Sequence, residues 1–490
     1  MRLRVVAAVT VTGILTLASC TATQDGVDVL NPSDFADTVT VDAVTGHLEE
    51  LERIADEHGG NRAVGTVGYD ASVDYVVDVL TDRGFDVSAP EFEIGSFDTE
   101  VESLRGGDGR SVPVHALTNS VSTGPEGIDA PVMALPKDAS LGCAATDYDG
   151  TDAAGAIVLV NRGQCRFGEK ESIAADRGAA ALIVVDPSGG TITDGTVGEP
   201  GASRIPTGSV TGDDARALAA SDAPARLVLA THTQVRHSRN VVAQTRTGST
   251  GDVVVVGAHL DSVDSGPGIN DNGTGVAAIL ETALRLGGSP NVENAVRFAF
   301  WGGEEEGLLG SAAYVENLTD SERADIALYL NFDMLGSPNA GYLVYDGDDS
   351  DDEGEGPGPD GSDGIERTFT EFFADRGIEV EGTDFDGRSD YGPFIGSGIP
   401  AGGVFSGADE RKTRAQAQKW GGDADRMMDP NYHTARDILA NVDREALAVN
   451  AIAVAYAVAV YANSVEGVNG VPVGTARTTA RAEMSASPPR

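Results

Sequence analysis

The chain has 490 residues, enough for two or three domains with separate cores. Its hydrophobic content of 41% excludes wholesale disorder, and beyond the N-terminus no apolar run is long and unbroken enough to span a bilayer. With 77 acidic against 34 basic residues, the formal charge of -43 repels nucleic acid and anionic lipid surfaces, so neither is an expected partner.

Arg2 and Arg4 precede an apolar segment from Val5 to Ala18, a secretory signal by charge and length. Leu17-Ala18-Ser19-Cys20 resembles the bacterial lipobox, whose cysteine becomes the lipidated first residue of the mature protein. Residues 1–20 are therefore read as a lipoprotein signal and 21–41, polar and Asp-rich, as a tether. The implied location is extracytoplasmic, anchored to the cell membrane by lipid on Cys20, or secreted if the signal is a plain one. With lipid on Cys20, Cys143 and Cys165 remain, and an oxidising compartment favours a disulfide between them. Too few cysteines are present for a zinc–thiolate site, so any metal must be held by His and carboxylate.

From Val44 to Phe85 apolar residues recur at helical spacing on both sides of the turn GNRAVGTVGYD, with His47 and His58 expected on solvated helix faces. Strand-like sequence follows from Asp86 and leaves the main body near Ser103. Residues 104–237 differ in texture, rich in Ala, Gly and Asp. Within them GAIVLVNRGQCRFGEKESIAADRGAAALIVVD reads as strand, turn, helix and strand. Arg162-Gly163, Cys165, Phe167, Lys170, Gly178-Ala179 and the strand ending at Asp186 resemble the protease-associated domain. That likeness implies a β-rich, non-catalytic insert that covers the active site or screens substrates by size. His115, His232 and His237 read as structural or surface groups.

The chain returns to its body and reaches GDVVVVGAHLDSVDSGPGINDNGTGVAAILE, residues 251–281. Val253 to Val256 form a strand buried on both faces, and a helical pattern begins near Gly275. Between them, His259, Asp261 and Asp271 fall at the strand's carboxyl end, where open α/β sheets place ligands and metals. Next come a buried strand from Val296 to Trp301, a Gly302-Gly303 turn and a helix expected to start among Glu304, Glu305 and Glu306. A further strand ends in Asp333. Residues 347–364 form an acidic, Gly-rich loop that cannot build a core, and such Asp-rich loops are candidates for a calcium site. GRSDYGPFIGSGIPAGGVFSG and MDPNYHTARDILANVD follow, then a packed apolar helix over Ala451 to Ala462. Residues 464–490 read as a disordered tail. The pattern is α/β, a mostly parallel central sheet sandwiched by helices, built from 42–103 and 238–463.

Five groups with metal-ligand chemistry lie at strand ends or in loops: His259, Asp271, Glu305, Asp333 and His433. That number suits two zinc ions, with Asp271 as bridge and one imidazole and one terminal carboxylate for each metal. The ordered set GAHLDSVDSGPGINDNGTG, WGGEEEGLLGS, NFDMLGSPN, GRSDYGPF and YHTARD resembles the co-catalytic dizinc aminopeptidases, secreted bacterial exopeptidases of the zinc-exopeptidase (phosphorylase/hydrolase-like) fold. By that resemblance His259 and Asp333 hold one zinc, Glu305 and His433 the other, and Asp261 orients His259. It also implies a cis peptide at Asp271-Asn272, Glu304 as general base and Tyr432 as hydrogen-bond donor to the oxyanion. Arg388 lies on the substrate side, Asp333 helps to recognise the free α-amine, and Met334 borders the pocket for the first side chain. Tyr391 stands where some members have histidine, which puts fine specificity in question. The implied partner is a peptide with a free N-terminus, and a monomer is expected. Two readings stay open beside it: a carboxypeptidase of the same family, for which Arg388 would bind the substrate carboxylate, and an inert binding lipoprotein.

Overall fold

The computed structural model describes residues 30–136, 141–351, 354 and 356–486. Cys20, the signal and the first part of the expected tether lie outside the described residues. The larger body is an eight-stranded sheet with strand Ser249–His259 near its centre. That strand pairs in parallel with Asn294–Trp301 on one side and Ile326–Phe332 on the other, and Ala401–Phe405 extends the parallel order. Antiparallel pairing appears on the flanks, where Val241–Gln244 joins Asp86–Ser88 to Asn294–Trp301 and where Leu343–Tyr345 meets Ala401–Phe405.

The period-two alternation of a strand explains the four valines. Val254 and Val256 enter one core with helices Val41–Glu57, Thr274–Leu286 and Arg444–Asn463, while Val253 and Val255 enter the other with Trp301, Tyr329 and Phe394. Helix Arg444–Asn463 is long and apolar enough to cross a membrane by composition, but 67% of its apolar window is buried inside this core. Because the central strands run in parallel, their carboxyl ends lie side by side. His259 is in register with Trp301, and Asp333 directly follows strand Ile326–Phe332. Three of the sequence's chemical motifs thus emerge at one edge.

The insert has its own five-stranded sheet and core, with Leu159, Ile183 and Leu229 buried, and Cys143 and Cys165 form a disulfide there. It is carried on a long antiparallel ribbon, Glu91–Arg105 against Ala225–Arg239. The expected joins near Ser103 and His237 do not face each other: Ser103 pairs with Val228 and His237 with Glu93. Phe92 and Ile94 belong to the peptidase core and Leu104 to the insert core, so strand Glu91–Arg105 runs from one core into the other.

Four further expectations need correction. Helix Pro32–Ala36 lies inside the expected tether, and Phe35, Ala36 and Val39 are buried; apolar side chains here draw the segment onto the core. The tail contains helix Gly474–Ala486, fixed by buried Arg477, which pairs with Asp252 at 2.5 Å. His47 is buried, its ring nitrogens meeting the Tyr75 hydroxyl at 2.6 Å and Glu281 at 3.3 Å. The end of the 347–364 stretch is not loop: helix Ser362–Asp375 begins within it, and the buried Ser362 hydroxyl accepts the Ala401 N–H.

Candidate active site

At the carboxyl edge of the sheet, strand Ser249–His259 delivers His259 into a fully buried position. Its Nδ1–H donates to the Asp261 carbonyl at 3.1 Å; a carbonyl can only accept, so Nδ1 carries a proton and Nε2 is the nitrogen left to face the carboxylates. Nε2 lies 3.2 Å from Asp271 Oδ1 and 3.3 Å from Asp333 Oδ1. On the other side, His433 Nε2 lies 3.2 Å from Asp271 Oδ2 and 3.0 Å from Glu305 Oε2. Asp271 therefore offers one oxygen to each imidazole. The ligand atoms of each triad lie within 4.8 Å of one another.

The Asp261 carboxylate is 3.7 Å from His259 Nδ1, and it accepts the backbone N–H groups of Glu304 and Glu305 at 3.3 Å each. The histidine is thus oriented by the Asp261 carbonyl, while the carboxylate fixes the glutamate turn. That turn is not helical: the helix expected among the glutamates starts at Leu309. The Gly302-Gly303 approach explains the delay, since a Cβ at Gly302 would meet the Tyr69 hydroxyl at 2.0 Å. Asp333 is held from behind by the Ser389 hydroxyl, which donates at 2.6 Å. The Asp271-Asn272 peptide is cis, and Met334 and His433 adopt positive φ angles of 63° and 56°, a region rare for side chains of this size.

A metal fits this arrangement. Asp271 Oδ2, Asp333 Oδ1 and Glu305 Oε1 are buried and accept no hydrogen bond, although imidazole nitrogens lie within van der Waals contact of the first two. Imidazole nitrogens and carboxylate oxygens converge on the same two gaps, the donor set that a divalent cation with N/O ligands requires. Charge adds to the case. Burial pushes the Glu304 carboxyl well above its usual range, and Asp333, Asp390 and Asp271 add to this against the opposing His259. Glu305 is pushed up to about 7 by burial and by Asp271. Burial also opposes ionisation of Asp271, but the two imidazoles against it outweigh burial and hold its carboxyl low.

The site opens into a cavity of about 420 Å³ that holds Glu304 and Asp271 at one end and Met334, Tyr345, Arg388 and Phe405 along its walls. Tyr432 lines it too, its ring stacked on His433 at 3.8 Å, and its hydroxyl receives a hydrogen bond from Arg388 at 3.3 Å. Tyr391, largely buried, also lines the cavity and donates to Asp386 at 2.7 Å. Two other acidic groupings, Asp346/Asp348/Glu366 and Asp349/Asp351/Asp384, lie outside this cluster.

Residues 240–458 match the model of peptidase family M28, and residues 128–218 match the protease-associated (PA) domain. The chain is 52% identical over 443 residues to the probable lipoprotein aminopeptidase LpqL of Mycobacterium tuberculosis, covering 90% of this chain and 88% of that one. The chain belongs to peptidase family M28. An aminopeptidase of Pseudomonas aeruginosa is 42% identical over 430 residues, covering 84% of this chain and 79% of its own. Among solved structures, the aminopeptidase from Aneurinibacillus sp. strain AM-1 has the same fold, with a TM-score of 0.61 at 24% identity over 91% of this chain and 99% of that one. This M28 protein is a metallo-aminopeptidase with a PA domain inserted in its catalytic body.

Sequence reasoning missed several groups that build the M28 site. Ser389 stands inside the quoted GRSDYGPF and Asp437 inside YHTARD, so a polar residue beside each assigned one was the available signal. Arg62 lies in a segment read only as a turn, GNRAVGTVGYD. It is fully buried and donates to the Leu260 carbonyl, to Pro267 at 2.9 Å and to Gly268 at 2.7 Å. Asn272 contributes through its side chain, which donates to the Phe332 carbonyl at 2.9 Å and accepts the Met334 N–H at 3.1 Å.

Proposed function

We propose that this M28 protein is an extracytoplasmic aminopeptidase, lipid-anchored through Cys20, that hydrolyses the N-terminal peptide bond of peptides as a monomer with two zinc ions. The observation that carries the reading is the sharing of Asp271 between two histidine–carboxylate triads. His259 and Asp333 would hold one ion and His433 and Glu305 the other. When bound, the zinc pair would lower the pKa of the attacking water and polarise the scissile carbonyl.

This chain's own residues do the rest. Glu304 takes a proton from the water and returns it to the leaving amine, and burial raises its proton affinity, which suits a group that must do both. Tyr432 donates to the oxyanion, and the Arg388 bond to its oxygen leaves the phenolic hydrogen free to point at substrate. The carboxylates of Glu304 and Asp333 receive the free α-amine, while the wall past Met334 holds the first side chain. Arg388 already faces Asp409, at 3.3 Å, which weighs against its use as a clamp for a substrate carboxylate and so against carboxypeptidase action. Calcium would be held at the acidic groupings around Asp346 and Asp384.

Zinc-loaded protein is expected to cleave aminoacyl arylamides and to leave N-acetylated peptides intact. Glu304→Gln should keep two zinc ions while losing activity about 10²–10⁴-fold. Release of residues from the carboxyl end of N-blocked peptides would overturn the aminopeptidase reading. Release of the Cys20→Ala variant from the membrane fraction tests the anchor.

A further inference from the structure

The loop that carries His433 is tied to the bridging ligand by one buried carboxylate. Asp437, 3% exposed, accepts the backbone N–H of Asn270 at 2.7 Å and of Asp271 at 3.0 Å. Its carbonyl accepts the Ile269 N–H at 3.2 Å, and its own N–H donates to the Thr434 carbonyl at 3.1 Å. The contacts bracket the residue before the bridge and the bridge itself. A second carboxylate in the same loop, Asp429, accepts the Asn270 side-chain amide at 2.6 Å. Asn270 in turn accepts the Gly336 N–H at 3.0 Å and donates to Ser337 at 3.1 Å, just beyond Asp333. From the opposite side Arg62 holds the carbonyls of Leu260, Pro267 and Gly268, and Ser262 donates its N–H to the Arg62 carbonyl at 3.3 Å.

Arg62 therefore fixes the 260–268 loop to the His259 half of the site. Asp437 joins the backbone of Asp271 itself to the loop of His433, 166 residues away in sequence from that N–H, whereas Asp429 reaches the Asn270 side chain and Ser265 the His433 carbonyl. We propose that Asp437 is the positioning residue that couples the two metal half-sites, setting the distance between the bridging carboxylate and His433. Without it, His259, Asp271 and Asp333 still converge, because strand ends and Arg62 hold them. His433, half-exposed on a loop and at positive φ, keeps the Ile269 N–H to Asp437 carbonyl bond, the Asp429–Asn270 bond and the Ser265 hydroxyl on its own carbonyl, but loses the two carboxylate bonds that fix its loop to the backbone of the bridge. The consequence is asymmetric: the second zinc is lost before the first.

This inference rests on the two-zinc reading, and its test separates the two. Zinc is titrated into the metal-free full-length protein against a chromophoric chelator, for wild type, Asp437→Asn and Asp437→Ala. Asn keeps the shape but can accept only one of the two N–H groups, so Ala is not needed if it fails to fold. For Asp437→Asn the affinity for the second equivalent should fall about 10–100-fold, the range for loss of a group that orients a ligand, with the first changed less than about threefold. kcat should fall with second-site occupancy and recover at high zinc, while KM stays near wild type. A protein that merely folds less well would lose affinity for both equivalents together, because each is linked to the same folding equilibrium, and that result would overturn the proposal. Two wild-type affinities in Asp437→Asn would overturn it as well. A wild type that takes up only one zinc would sink the two-zinc reading itself and this inference with it.

Discussion

Arg388 donates to the hydroxyl oxygen of Tyr432 across 3.3 Å while its guanidinium also faces Asp409 at 3.3 Å. A phenol that accepts from a cation has its own hydrogen directed elsewhere, and its pKa is raised, by burial and by Asp271, against the lowering effect of the Arg388 bond. Tyr432→Phe removes only the hydroxyl. It should lower kcat about 10²–10³-fold, the usual cost of one oxyanion donor, with little change in KM. Arg388→Ala should give a smaller loss of kcat, because the hydroxyl remains but is less well aligned. Steady-state kinetics on one aminoacyl arylamide compare the two variants. A loss from Arg388→Ala larger than that from Tyr432→Phe would show that Arg388 acts on substrate directly.

Removal of the Arg62 guanidinium should be costly for stability. In Arg62→Met the carbonyls of Leu260, Pro267 and Gly268 lose their donor in a fully buried place, and bonds from charged groups contribute roughly 1.5–3 kcal/mol each. A loss of about 3 kcal/mol or more is expected in the urea unfolding of the metal-free protein. Arg62→Lys should fall between, since one ammonium reaches fewer of the carbonyls in the geometry of a planar fork.

The same two residues show what was and was not legible in the sequence. The places of His259, Glu305 and Asp333 are legible because His259 ends an apolar strand, Asp333 directly follows one and Glu305 sits in the turn after another that ends at Trp301, and parallel strands bring their carboxyl ends together. Asp437 and Arg62 act on backbone atoms about 166 to 206 residues distant, and no local pattern records such a pairing. The insert's joins were blurred for a related reason. Strand Glu91–Arg105 continues through both cores and stays paired with Ala225–Arg239 along its length, so composition changes before the hydrogen-bonding does. His47 was placed on a solvated face because its own helix spacing carries no trace of Glu281, 234 residues later.

Zinc affinity should rise with pH. In the metal-free site burial lowers the proton affinity of His433, but Asp271 and Glu305 against it prevail and hold the imidazole up to about 10; His259 is likewise raised by Asp333 and Glu304 against burial. Zinc must displace these protons, so apparent affinity should increase by about tenfold per pH unit for each imidazole below its pKa. The linked effect on the metal-free protein has the opposite direction. A raised histidine stabilises fully below its unfolded value near 6.5, and that contribution is lost as pH rises through about 10. Solvent reaches His433, so screening makes the stability change small. Chelator competition and thermal melts of metal-free protein between pH 6 and 10 measure both slopes. An affinity independent of pH would show that the empty site holds neutral imidazoles.

The C-terminal helix should matter for stability and not for turnover. Arg477 is 5% exposed and donates to the carbonyls of Gly251 and Ala324 at 3.0 Å each and to Asp252 at 2.5 Å. These partners sit where strand Ser249–His259 begins and where Ile326–Phe332 is about to start, the end of the sheet opposite the ligands. At about 3.3 Å per residue, Asp252 is roughly 20 Å of strand from His259. Arg477→Ala leaves two carbonyls and a half-buried carboxylate without their donor, a loss of about 1–3 kcal/mol and a drop of several degrees in Tm. kcat and KM of the zinc-loaded enzyme should stay at wild-type values. A fall in kcat at unchanged Tm would mean that the strand transmits the helix contact to His259, and the rigid-sheet argument would fail at that point.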